Sequence, residues 1–164
     1  MNTKMQSPPD RSYDRLEGNT VRITGKVREP IVLSMKDLCE MGDFEEVKDL
    51  MVICGTGTPK GRIESCKGVL LENVIRKADV IKDGHNDTKK MYIVASAPDG
   101  YKVVFSWQEI FNSPMGEGIM ILTEKDGESL CEKNSELELI SAQDFFTGSR
   151  IVKGLNNIEV VLVE

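Results

Sequence analysis

Apolar and polar residues alternate over short stretches along most of the chain, a pattern typical of β-strands. The clearest alternation lies in Thr20–Val27. Further strands are predicted where short apolar runs end at turn residues, in the segments IVLS, VKDLMVIC, RIES, MYIVASA, YKVVFS, LELIS and NIEVVLVE. The Pro98-Asp99-Gly100 turn predicts a hairpin of MYIVASA with YKVVFS. A second hairpin, Gly118–Leu130, is predicted to turn at Asp126-Gly127.

Short helices are predicted between these strands. Ser34 and Asp37 have the spacing of a capping box, and Gly42 follows the two-turn helix that this box would begin. After Gly68, the run VLLENVIRKADV places its apolar residues on one helical stripe, and WQEIF predicts another short helix. Strands and helices do not alternate regularly, so the pattern predicts an α+β fold, a single mixed, β-rich domain, rather than a doubly wound sheet.

Length and composition fit one globular domain. The chain has 164 residues, of which 40% are hydrophobic and 29% charged. Residues 1–18 are polar and are predicted to be a flexible N-terminal arm, followed by the domain over residues 19–164. The net charge of −6 argues against a general nucleic-acid binder, because phosphate binding needs clustered positive charge.

The chain also lacks the apolar segments of a membrane or secretory protein. No run approaches the roughly 20 apolar residues that span a bilayer, so no transmembrane segment is predicted. The first residues, MNTKMQSPPDRSYDR, contain no apolar core of a signal peptide. The protein is therefore predicted to be cytoplasmic, or exported if a leader peptide has been removed.

The four cysteines include no CxxC pair, which excludes zinc-ribbon and thioredoxin motifs. Cys39 and Cys131 are interpreted as packing residues. Cys54 ends an apolar strand and begins a Gly-rich loop, where a thiolate could be held and approached by a small group. Cys66 could face Cys54, and the two would then be either a redox-active pair or two buried thiols.

Two loops are candidate anion sites. The loop GTGTPKG after Cys54 lacks the Lys-Ser/Thr pair of a phosphate-binding loop, and we interpret it as a hairpin connection. In SRIVKG, near the C-terminus, Ser149, Arg150 and Lys153 would present one hydroxyl and two cations to a phosphate. The alternative is a solvated charged turn before the last strand.

The order of these segments resembles the oxidoreductase molybdopterin-binding domain of the sulfite oxidase family. The resemblance covers about Val21 to Val161 and is carried by VRITGKVREPIVLSMKDL, a strand that ends in Cys54, GVLL, SAPDGYKVVFS, DGESL, LELIS and GSRIVKGLNNIEVV. It implies an α+β domain of the sulfite oxidase molybdopterin-binding type.

The resemblance also implies a function and the residues that perform it. The function is a molybdenum-dependent oxidoreductase that holds a molybdenum–molybdopterin cofactor and transfers oxygen to or from a small-molecule substrate. Cys54 matches the cysteine that ligates molybdenum, whereas Ser149, Arg150 and Lys153 match the segment that holds the pterin phosphate. Electron partners in this family are commonly separate proteins, so a separate electron-transfer protein is expected.

Two other functions are compatible with the same residues. The first is a cofactor-free binding or interaction module on the same fold, in which Cys54 is an ordinary core thiol. The second is a thiol-redox protein that uses Cys54 and Cys66.

Overall fold

The computed structural model describes residues 19–133 and 135–164, so the arm predicted for residues 1–18 lies outside the described residues. The strands of the described chain are β1 (Thr20–Gly25), β2 (Ile31–Ser34), β3 (Phe44–Ile53), β4 (Pro59–Leu70), β5 (Met91–Ser96), β6 (Lys102–Ser106), β7 (Ile119–Lys125), β8 (Glu128–Ser129), β9 (Glu138–Ser141), β10 (Val152–Lys153) and β11 (Asn157–Leu162). The α-helices are α1 (Met35–Glu40), α2 (Leu71–Arg76), α3 (Trp107–Phe111) and α4 (Leu130–Lys133), and 3-10 turns cover Asp87–Lys90 and Pro114–Gly118.

The strands form two sheets. The first has the order β2-β1-β11-β5-β6, in which β1 and β11 are parallel and the other neighbours are antiparallel. The second has the order β10-β9-β7-β4-β3, with β8 paired to β7, and its pairs are all antiparallel. The protein is therefore a β-rich α+β fold with two sheets and short helices, as the irregular order of strands and helices predicted.

The central strand of the second sheet, β7, is buried on both faces. Along β7, Ile119 and Ile121 belong to the larger core cluster, which also contains residues of the first sheet and of α1, α2 and α3. The alternate residues Met120 and Leu122 belong to a smaller cluster. Because successive side chains of a strand point to opposite faces, the continuous apolar run of β7 is explained by burial on both sides.

Several predicted local structures are confirmed. The Ser34 hydroxyl accepts a hydrogen bond from the Asp37 amide at 3.0 Å, and the Asp37 carboxylate accepts one from the Ser34 amide at 2.8 Å. The helix that this capping box begins ends before Gly42, which has a φ of +85°. Asp126 and Gly127 have positive φ values of 50° and 79°, as a tight hairpin turn requires.

The helix predicted after Gly68 is shorter than its apolar stripe suggested. Strand β4 continues through RIES to Leu70, so α2 covers only Leu71–Arg76. Gly68 lies inside this strand at a close approach to β7, since a Cβ atom there would lie 2.6 Å from the carbonyl oxygen of Ile121. A glycine in a strand often marks such a contact. The predicted loop at residues 149–153 contains the short strand β10.

Cys39 and Cys131 pack against the larger core cluster, as interpreted, but the sequence analysis missed that they are bonded to each other. The two side chains form a disulfide that joins α1 to α4 across a sequence separation of 92 residues. Connectivity of this kind cannot be deduced from cysteine positions alone. No helix in the described part of the chain is long and apolar enough to cross a membrane.

Candidate functional site

A cavity of about 510 Å³ opens beside Cys54. It is bordered by the β3–β4 hairpin, by the turn between β5 and β6, and by β7, β9 and β10. Its charged lining side chains are Lys60, Arg62, Lys125, Lys153, Asp99 and Glu138. These four cations and two carboxylates give the cavity an excess of positive charge in a chain whose net charge is −6. The cavity therefore favours an anionic ligand.

Cys54 lies in a closed turn directly after β3. The Cys54 amide donates to the carbonyl of Thr58 at 3.0 Å, and the Gly57 amide donates to the carbonyl of Cys54 at 2.8 Å. Gly57 has a φ of +85°, a conformation that glycine adopts at no steric cost. The turn also brings the Thr56 hydroxyl oxygen to 2.9 Å from the Cys54 sulfur.

This turn stabilises the thiolate form of Cys54. Hydrogen bonds from the Thr56 side chain, then from the backbone of Thr56 and Thr58, lower the pKa of Cys54 to about 6. By contrast, burial raises the pKa of the Cys66 thiol to about 11. At neutral pH Cys54 is therefore mostly a thiolate, the form that acts as a metal ligand and as a nucleophile.

We expect the Thr56→Val substitution to raise the pKa of Cys54, because it removes the hydroxyl that stabilises the thiolate. The rate of Cys54 alkylation by iodoacetamide should rise with pH through about 6 in the original protein. In the variant this rise should occur at higher pH. Peptide mass spectrometry after timed alkylation measures the modification of each cysteine separately.

Thr56→Ser is the matched control, because serine keeps a hydroxyl at the same position. Its alkylation profile should lie close to that of the original protein. Cys66 is 1% exposed and should remain unmodified while the protein is folded. Superimposable profiles for Thr56→Val and the original protein would show that the Thr56 hydroxyl does not control this thiol.

A segment distant in sequence holds the end of β3. The Thr147 hydroxyl donates to the carbonyl of Met51 at 2.6 Å and accepts a hydrogen bond from the Ile53 amide at 3.0 Å. The Gly148 amide donates to the carbonyl of Ile53 at 2.7 Å. The structure thus places the predicted C-terminal anion segment next to the turn that carries Cys54.

The predicted phosphate-binding residues have different surroundings in the structure. Lys153 lines the Cys54 cavity. Ser149 lies beside the turn, with its hydroxyl oxygen 3.2 Å from the position of a Cβ atom at Gly55. Arg150 is not part of the cavity lining, and its guanidinium forms ion pairs with Asp144 and Glu109.

Lys60 and Arg62 are cavity residues that the sequence did not indicate. Lys60 belongs to the GTGTPKG loop, which we interpreted only as a connection, but in the structure both residues lie in β4 and line the cavity. Arg62 pairs with Asp49, and Lys125 pairs with Glu138. Among residues 19–133 and 135–164, neither Lys60 nor Lys153 forms an ion pair. These two lysines are available to an anion.

The expectation that Cys66 could face Cys54 was wrong. Cys66 lies opposite Val47 in the β3–β4 ladder, whereas the Cys54 end of the hairpin lies near Pro59. At about 3.3 Å per residue, the strand between Pro59 and Cys66 spans roughly 20 Å. A disulfide requires Cα atoms within about 7 Å of each other. The structure therefore gives no support to a redox pair of these two cysteines.

The cavity has one soft donor and no complete set of protein ligands for a metal. Within the described residues, no group of three or more His, Cys, Asp or Glu side chains is arranged to hold a metal ion. A metal bound at Cys54 would need further donors from its own cofactor. No family model matches this chain, and a search of curated proteins finds no similar protein.

Proposed function

We propose that this protein is a molybdopterin-binding oxidoreductase domain of the sulfite oxidase type, with Cys54 as its metal ligand. The proposal combines the resemblance of the sequence segments with the chemistry of the cavity. The observation that carries it is a thiolate-stabilising turn at the wall of an open, positively charged cavity.

The donor set fits a cofactor that brings its own sulfur ligands. A soft thiolate suits a metal already held by the dithiolene of a pterin, so one cysteine completes the site. When bound, the cofactor supplies the redox and oxygen-transfer chemistry. The protein's own residues would bind and orient the cofactor. The Cys54 thiolate, which the Thr56 hydroxyl contacts, would bind the metal.

The available lysines would hold the phosphate of the cofactor. Lys153 was indicated by the resemblance, and Lys60 joins it because both line the cavity without an ion-pair partner among the described residues. Ser149 would add a hydroxyl beside the turn. Arg150 is paired with Asp144 and Glu109, so the phosphate role passes to Lys60 and Lys153.

The proposal includes a small-molecule substrate at the metal and a separate electron-transfer protein, as the resemblance implies. We also propose that the protein is exported, because it contains a disulfide. Disulfides such as Cys39–Cys131 persist mainly in oxidising compartments.

Metal analysis after expression in a molybdopterin-producing host tests the proposal. The original protein should contain about one molybdenum per chain, and Cys54→Ser should fall below roughly a tenth of that because serine lacks the thiolate donor. Cys66→Ala is the matched control, since Cys66 is buried and is not one of the residues that line the cavity, and it should retain the metal.

Lys153→Met should also lower the cofactor content, by removing one phosphate contact while leaving the metal ligand in place. The proposed function would be contradicted if the original protein contained no molybdenum and the Cys54→Ser variant had an unchanged circular dichroism spectrum. That outcome would favour the cofactor-free binding module.

A further inference from the structure

Arg150 is the centre of a dense set of contacts next to the site. Its Nε and Nη2 atoms donate to the two carboxylate oxygens of Asp144, both at 2.7 Å. Nη2 also donates to Glu109 at 3.1 Å, and Nη1 donates to the carbonyl of Val104 at 3.0 Å. The guanidinium lies over the ring of Phe105, 4.3 Å from its centre. This paired and stacked geometry is specific to arginine, because lysine has no planar fork.

These partners belong to the first sheet and to the helix that follows it. Val104 and Phe105 lie in β6, and Glu109 lies in α3. Glu109 also accepts a hydrogen bond from the Ser106 amide at 2.9 Å, so its position is fixed by the cap of α3. Arg150 therefore connects residues 144–150, which we call the clamp segment, to the edge strand of the first sheet and to the helix that follows it.

The clamp segment is attached to the second sheet at its other side. Thr147 and Gly148 form three hydrogen bonds with Met51 and Ile53 at the end of β3. Cys54 follows Ile53 directly. The clamp segment thus bridges the two sheets at the point where the chain leaves β3 to form the Cys54 turn.

We propose that Arg150 is a positioning residue that fixes the Cys54 turn through the clamp segment. With Arg150 paired, Thr147 and Gly148 are held against Met51 and Ile53. Without it, Asp144 and Glu109 lose their counter-charge, and the clamp segment can leave β3. The inference goes beyond the proposed function, because it concerns the order of the polypeptide with or without a cofactor.

Loss of Arg150 should destabilise the clamp segment because its ion pairs are largely buried from solvent. The Arg150 side chain is 21% exposed and that of Asp144 is 12% exposed, far less than in the surface pairs of this protein. Hydrogen bonds to Asp144, and then to Glu109, raise the pKa of Arg150 although burial opposes them. Removal of one partner from a shielded pair leaves a carboxylate uncompensated and is strongly destabilising.

Amide hydrogen exchange measured by NMR tests the proposal directly. In Arg150→Met, the Ile53 and Gly148 amides should exchange at least about tenfold faster than in the original protein, since the hydrogen bond that each forms joins β3 to the clamp segment. The exchange of Ile93 and Val160, which pair in the first sheet, should change much less. Arg28→Met is the matched control, because it removes an ion pair that is fully on the surface.

Two further variants distinguish a local release of the clamp segment from a general loss of stability. Arg150→Lys keeps the charge without the paired geometry and should give intermediate exchange at Ile53. Glu109→Gln keeps Asp144 as a counter-charge and should accelerate Ile53 and Gly148 less than Arg150→Met. Equal acceleration of all four amides, or none at Ile53 and Gly148, would overturn the proposal. Because molybdenum is measured separately, failure of either proposal can be distinguished from failure of the other.

Discussion

Replacement of both Cys39 and Cys131 by alanine is expected to lower the free energy of unfolding by about 2–4 kcal/mol. The bond closes a loop with a sequence separation of 92 residues, from α1 to α4. In the chain-entropy description, a long loop restricts the unfolded chain more than a short one does, and a 100-residue loop corresponds to about 4.7 kcal/mol. The expected loss lies below that value because an unfolded chain retains residual structure, so the bond restricts it less than it would restrict a random chain.

Urea unfolding followed by circular dichroism measures this effect. In thermal unfolding of a chain of this length, a loss of about 2–4 kcal/mol corresponds to a fall in Tm of roughly 5–15 °C. The double variant should not respond to a reducing agent, whereas the original protein should lose about the same stability when it is reduced. This comparison separates the bond from the cavities that alanine creates.

Thiol titration identifies the bonded cysteines. The unfolded, non-reduced protein should titrate two thiols, Cys54 and Cys66, and the reduced protein should titrate four. A peptide that links Cys39 to Cys131 should appear in a non-reducing digest. Four thiols in the non-reduced protein, or a peptide that links Cys54 to Cys66, would contradict the structure.

Local structure could be predicted from the sequence where the signal is short-ranged. The capping box at Ser34 and the turn at Asp126-Gly127 are confirmed because a few neighbouring residues determine each of them. The boundary between β4 and α2 was predicted wrongly, because the apolar residues at the start of VLLENVIR suit a buried strand as well as a helix. Contact with β7, which is distant in sequence, decided in favour of a longer strand.

The candidate site could be predicted only in part. Cys54 and Lys153 were indicated by the order of segments, and the structure places both at one cavity. Lys60 was missed because it lies at an irregularity of the β3–β4 ladder, between Pro59 and Gly61, which no local sequence pattern indicates. The partners of Arg150 come from α3, β6 and its own segment, so no local pattern distinguishes its ion pairs from a free cation.

Gly25→Ala is expected to lower the free energy of unfolding by about 2–5 kcal/mol, through two separate effects. Gly25 has a φ of +86°, which costs an alanine about 1–2 kcal/mol. In addition, a Cβ atom at this position would overlap the carbonyl oxygen of Val160, the acceptor for the Lys26 amide. Relief of this overlap must push β1 away from β11 at the parallel pair in the centre of the first sheet.

Gly42→Ala separates the two effects, because Gly42 has a φ of +85° and no atom within 4 Å of the position of its Cβ. It should cost only the conformational part, about 1–2 kcal/mol. Urea unfolding of both variants should therefore give a clearly lower midpoint for Gly25→Ala, with similar slopes. Equal losses for the two variants would mean that β1 and β11 separate without cost, and that their parallel pairing contributes little to the stability of the first sheet.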